Sequence, residues 1–278
     1  MIGLNTVRCG DALPVLRTLP AESVHMAITS PPYWCLRDYG ISGQLGLEPT
    51  YEEYLAKLCA VFDAVKRVLR PDGTLWVNLA DSYGSSDGGP PSSFVSKSRR
   101  LSFTLPPRPR NDIPRKSLCL IPSRFAVAMV RRGWLLRNVL IWHKPNAAPE
   151  SVTDRFTNDF EYLFFFAKSR HYYFQQQFEP ATYPHSRYSK DGMRNKRSVW
   201  TIPTKGFKGN HFAVYPEALV ETPIRACCPE GGVVLDPFLG AGTTAVAAQR
   251  LGRQWIGIEL NPAYAALAEQ RLQAARKT

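Results

Sequence analysis

Short apolar runs alternate with stretches of helical periodicity along most of the 278 residues. A parallel sheet covered by helices produces that rhythm. His25 to Thr29 reads as a strand that stops at Pro31-Pro32. Tyr51 to Leu69 carries Tyr54, Leu55, Leu58, Val61, Phe62, Val65, Val68 and Leu69 at helical spacing, then meets the turn residues Pro71-Asp72-Gly73. Thr74 to Asn78 reads as a strand, Arg124 to Arg132 as a helix closed by Gly133, and Leu135 to Trp142 as a strand. Glu161 to Lys168, with three consecutive phenylalanines, has the composition of a strand buried on both faces. The second half repeats the logic. Pro216 to Ala226 is helical, Val233 to Leu235 extended, Thr243 to Leu251 helical and Trp255 to Glu259 extended. Pro262 to Ala275 is a last helix, with Asn261 as its N-cap. The expected fold class is α/β with a mostly parallel sheet.

Two segments break the rhythm. Residues 82–116 are rich in Ser, Gly, Pro, Arg and Lys and predict no regular element, and residues 175–209 are polar, basic and Tyr-containing. We read both as insertions in one domain spanning 1–278, since long loops in a compact domain are usually functional or disordered. Each carries seven of the chain's 35 lysines and arginines. They are Lys97, Arg99, Arg100, Arg108, Arg110, Arg115 and Lys116, then Arg187, Lys190, Arg194, Lys196, Arg197, Lys205 and Lys208. With a formal charge of +12, this placement favours a polyanionic partner. Any one of these residues is as readily a solvated loop cation.

No run approaches the ~20 apolar residues of a membrane span, and Met1 to Gly10 lacks a secretory-signal pattern. The six cysteines contain no C-x-x-C pair, so neither a zinc site nor a disulfide framework is expected. We expect no metal and no membrane.

Asp236-Pro237-Phe238-Leu239-Gly240-Ala241-Gly242-Thr243-Thr244 falls between a predicted strand and a predicted helix. Glycine there permits a tight turn and close approach of a ligand, and the helix N-terminus offers free N–H groups. Glu259 ends the next strand, where an acid can accept from ribose hydroxyls. The third glycine of a dinucleotide fingerprint is absent. A ligand-free glycine turn has the same local sequence.

Thr29-Ser30-Pro31-Pro32-Tyr33-Trp34 resembles the catalytic motif of DNA amino-methyltransferases, and Asp236 to Thr244 resembles their S-adenosylmethionine-binding motif. Cys9-Gly10-Asp11, Trp142-His143-Lys144-Pro145-Asn146, the block from His211 to Pro216 and the block from Trp255 to Glu259 resemble further family segments in the expected order. The catalytic motif precedes the cofactor motif, which resembles the β-class, a circular permutation of the usual order. The resemblance implies a Rossmann-like methyltransferase fold, S-adenosyl-L-methionine as cofactor, and base flipping. It also implies a role in restriction–modification or a prophage, in the cytoplasm at the nucleoid of a bacterial, archaeal or phage-infected cell, and a possible homodimer.

The residues it implies for the cofactor are Asp11 (adenine edge), Thr29, Asp236, Pro237, Phe238, Gly240, Gly242, Thr243, Thr244, Glu259 (ribose) and Asn261. Those for the target base are Ser30, Pro31, Pro32 and Tyr33. The chemistry supports the second set independently. An exocyclic amine is a weak nucleophile because its lone pair delocalises into the ring, and acceptors aimed at its hydrogens localise that pair. Ser30 Oγ and the Pro31 carbonyl supply two acceptors, the prolines stiffen the turn, and Tyr33 offers a stacking face, with Trp34 a second candidate wall. In isolation, Ser-Pro-Pro-Tyr is more often a rigid turn. Arg155 and Asn146 are candidates for the base pocket or for a structural bridge. Ser at the first motif position resembles cytosine-N4 enzymes; adenine N6 stays open, as do an inactive DNA-binding protein and an RNA or protein methyltransferase. The chain has no Pro-Cys pair, which argues against cytosine C5 chemistry.

Overall fold

The computed structural model describes residues 3–84, 112–183, 189–204 and 215–276. An eight-stranded sheet runs in the order β1-β10-β9-β2-β3-β5-β4-β8. Its strands are β1 (Thr6–Cys9), β2 (Val24–Thr29), β3 (Leu69–Leu79), β4 (Leu135–His143), β5 (Phe160–Ala167), β8 (Val199–Thr201), β9 (Val233–Asp236) and β10 (Gln254–Glu259). Strands β6 (Phe178–Pro180) and β7 (Met193–Asn195) form a separate antiparallel pair. The first five strands of the order are mutually parallel, and β5 runs against both its neighbours.

Successive strand residues point to opposite faces, so each strand feeds two cores. On one face lie α1 (Ala12–Thr18), α2 (Tyr51–Val68) and α3 (Ile121–Arg131), over Leu75, Val77, Phe164, Phe166 and Leu235. On the other lie α4 (Glu217–Cys227), α5 (Thr243–Arg250) and α6 (Pro262–Ala275), over Met26, Ile28, Trp76, Phe165 and Val234. The three phenylalanines of β5 follow from this. Phe165 stacks on Trp76 with centroids 4.3 Å apart, while Phe164 and Phe166 meet Phe125 of α3 edge-on from the opposite side. Truncating any of the three to Ala costs about 3–5 kcal/mol.

The helices carry their own start signals. Thr50 Oγ1 accepts from Glu53 N at α2, and Asn261 Oδ1 accepts from Ala263 N at α6. Helix α3 has no such residue: Leu120 holds its N-cap position in a left-handed conformation. Asp81, 39 residues earlier, accepts from the Leu120 and Ile121 amides instead.

Two expectations change. The Pro71-Asp72-Gly73 turn does not end before a new strand; it lies inside β3 as a bulge, between pairings Val24 with Leu69 and Met26 with Thr74. Residues 175–209 are not wholly irregular: they supply β6, β7 and β8, and β8 extends the main sheet beside β4. Strand β1 and helix α1 carry too few residues for a periodic signal. Among the described residues, no helix is long and apolar enough to cross a membrane, and no His, Cys, Asp and Glu cluster could hold a metal. All six cysteines are free thiols.

Candidate active site

The parallel strands deliver their carboxyl ends to one edge of the sheet. Helix α5 carries the chain from β9 to β10, while α2 carries it from β2 to β3 on the other face. The connections therefore diverge between β9 and β2, leaving a crevice where open α/β sheets bind ligands. A cavity of about 730 Å³ occupies that edge. Its wall combines Gly10, Asp11, Pro237, Phe238, Gly240, Thr243, Glu259, Asn261 and Tyr264 with Ser30, Pro31, Pro32, Tyr33, Asn78, Lys144 and Glu161. Residues more than 200 positions apart thus share one chamber.

Four expected cofactor residues stand behind this wall: Thr29, Asp236, Gly242 and Thr244 are absent from the cavity lining. Asp236 is buried and accepts from four groups. Thr29 Oγ1 (2.6 Å) and the Phe238 amide (3.0 Å) reach Oδ1, and Thr244 Oγ1 (2.5 Å) and Tyr215 Oη (3.1 Å) reach Oδ2. Burial pushes this carboxyl up from its ordinary range, and the four donors oppose that shift. Asp236 therefore ties β2, the glycine turn and α5 together. Gly242, at φ +85°, faces α6: a Cβ there would stand 3.0 Å from Ala268 Cβ. Its smallness serves helix packing.

Glu259 does reach the cavity, held by the Gly240 amide on Oε2 and the Asn261 amide on Oε1, both at 2.8 Å. Burial raises its pKa. Asp11 caps α1 through the Leu13 amide at 3.0 Å and lines the same wall. Tyr39 and Tyr264 meet edge-on at 6.1 Å, and both line the cavity beside these acids.

The Ser30–Tyr33 turn follows β2. Tyr54 Oη donates to the Pro32 carbonyl at 2.8 Å, occupying that acceptor. Tyr33 Oη lies 2.7 Å from Glu161 Oε2, 3.1 Å from Asn78 Oδ1 and 3.2 Å from Ser30 Oγ. Glu161 also pairs with Lys144. Desolvation and the Glu161 charge push the Tyr33 phenol well above its usual value. Trp34 is no cavity wall. Its ring is buried against Tyr51, and its indole N–H donates to the Glu48 carbonyl at 3.0 Å.

Arg155 lines the cavity and is also bridged to Glu150 at 2.5 Å. Asn146 makes three hydrogen bonds with Thr204 and serves the turn. His211 and the cations Lys97, Arg99, Arg100, Arg108, Arg110, Arg187, Lys205 and Lys208 lie outside the described residues. Of the other expected DNA-facing cations, Lys116 pairs with Asp154, and Arg194 and Arg197 share Glu179 Oε1 at 3.0 and 2.9 Å. Sequence reasoning missed Asn78, Glu161 and Tyr215. An acid opening an otherwise apolar strand was the available signal for Glu161.

A twisted, mostly parallel sheet with a motif-lined crevice at its carboxyl edge defines an α/β methyltransferase fold. Residues 24–270 match the model of the DNA methylase family of N6/N4 type, and the chain belongs to that family of S-adenosylmethionine-dependent amino-methyltransferases. It is 47% identical over 266 residues to type II methyltransferase M.XycI of Xanthomonas campestris pv. cyanopsidis, covering 95% of this chain and 86% of the relative. It is 44% identical over 268 residues to M.SmaI of Serratia marcescens, covering 95% and 89%. Among solved structures, a DNA modification methylase of Thermus thermophilus, complexed with S-adenosyl-L-methionine, aligns at 28% identity with a TM-score of 0.65, covering 97% of this chain and 93% of the other. The cytosine-N4-specific PvuII DNA methyltransferase shares the fold at 19% identity and a TM-score of 0.68, over 98% and 90% of the two chains.

Proposed function

We propose that this enzyme methylates N4 of cytosine in duplex DNA, taking the target base flipped from the helix. The observation that carries the reading is Ser30, which lines the same cavity as the Phe238–Thr243 turn. The likeness to type II methyltransferases supports a place in restriction–modification, and hence in the cytoplasm, at the nucleoid.

When bound, S-adenosylmethionine supplies an electrophilic methyl group on a sulfonium sulfur. The residues on the wall fit such a ligand: a fixed carboxylate at Glu259 suits a ribose, Asp11 an adenine edge, and the turn before α5 a methionine portion. Asp236, Thr29 and Thr244 act one layer back by fixing that turn. Ser30 Oγ and the Pro31 carbonyl accept from the two amine hydrogens and aim the nitrogen lone pair at the methyl group. Tyr54 occupies the Pro32 carbonyl, which leaves the Pro31 carbonyl for this role. The ring of Tyr33 lies against the base.

Nucleosides released from duplex DNA after incubation with labelled cofactor test the reading by mass spectrometry. N4-methylcytosine is expected, and Ser30→Ala should lower its formation about 10²–10³-fold. N6-methyladenine would overturn the base assignment. No transfer by folded, cofactor-binding protein to a sequence-diverse DNA pool would overturn the activity.

A further inference from the structure

Deepening the amine-methylation reading on which it rests, we infer that Glu161 is a positioning residue that acts through Tyr33 to keep Ser30 a hydrogen-bond acceptor. A serine hydroxyl can donate as well as accept. Facing an amine, only the accepting orientation assists: a hydroxyl that donated to the nitrogen would hold the lone pair needed for attack. The direction of the Ser30 hydrogen therefore matters to the chemistry.

Three groups surround Tyr33 Oη, and two of them can only accept. Glu161 is a carboxylate paired with Lys144. Asn78 presents Oδ1, because its amide N–H₂ is committed to the Tyr162 carbonyl at 3.1 Å. The single phenol hydrogen must go to one of these, and the shorter contact, 2.7 Å against 3.1 Å, favours Glu161. Tyr33 Oη then offers Ser30 only a lone pair. The Ser30 hydrogen is drawn to it across 3.2 Å, which leaves the oxygen's lone pairs as the part of the hydroxyl that can meet an amine hydrogen, and Ser30 lines the cavity. Lys144 holds the carboxylate in place, with its ammonium 4.7 Å from the centre of the Trp142 ring.

This ordering needs no bond to substrate from Glu161, so its contribution must pass through the Tyr33 hydroxyl. The test compares kcat for Glu161→Gln, Tyr33→Phe and the double variant on duplex DNA under saturating cofactor. Calorimetric cofactor affinity and thermal melting serve as controls for folding. Each single change should lower kcat about tenfold or more, with cofactor affinity unchanged. The double variant should be no slower than the slower single one, because the carboxylate has nothing left to orient once the phenol is gone. Losses that multiply in the double variant would overturn the inference, as would full kcat in Glu161→Gln. Failure of the wild type to methylate any base amine would instead remove the underlying reading.

Discussion

Asp236 shows how a motif residue can act without lining the cavity. Its two oxygens gather donors from β2, the glycine turn, α5 and the segment before α4. An amide in its place offers one accepting oxygen and turns an N–H₂ group toward two hydroxyls. Asp236→Asn is expected to cost about 2–4 kcal/mol of stability, since buried donors lose their partner. Thermal melting measures that loss, and calorimetry should show weakened cofactor binding although no cavity contact is removed. Residue type and motif order marked Ser30, Tyr33, Phe238 and Glu259 in the sequence, and all four line the cavity. Whether Asp236 or Thr244 points into the cavity or behind it was not, because both orientations use the same residues at the same spacing.

At the scale of elements, the Ser30–Tyr33 turn depends on a neighbour that no motif marks. Gly46 lies at φ +98°, and a Cβ there would stand 2.7 Å from the Tyr33 carbonyl oxygen. The Cys35 amide donates to the Gly46 carbonyl at 2.7 Å, and the Gly46 amide to Glu48 Oε2 at 2.8 Å, so the contact cannot open freely. Gly46→Ala should therefore cost about 1–3 kcal/mol and displace the turn. Single-turnover methylation should slow while cofactor affinity stays near wild type. Equal rates for variant and wild type would mean that the turn absorbs the added methyl. Long periodic elements such as α2 and β5 were readable because each repeats its signal over several turns or pleats. Strand β8 was not. Three residues with only Trp200 buried carry no pattern until β4 supplies a partner.

For the whole molecule, the first strand forms one edge of the sheet beside the last strand. β1 pairs in parallel with β10, and the Asn5 amide donates to the Trp255 carbonyl at 2.7 Å. The net charge of +12 adds a long-range attraction for a polyanion. Duplex affinity should fall steeply with salt, by roughly 0.9 log units per log unit of salt for each phosphate contacted. Replacing Lys97, Arg99 and Arg100 with Gln should flatten that slope without altering cofactor binding; an unchanged slope would exclude these cations from the interface. Arg194 and Arg197 are poorer candidates for such contacts, because Glu179 already engages both. The sequence by itself determined the alternating α/β plan, the two motifs and the two basic segments, since each is encoded in residues adjacent along the chain. Only the tertiary structure decided that Asp236 faces inward, that Trp34 is core, and that Tyr33 meets Glu161. Those outcomes depend on which atoms of distant segments share a few ångströms of space, and no local pattern records that.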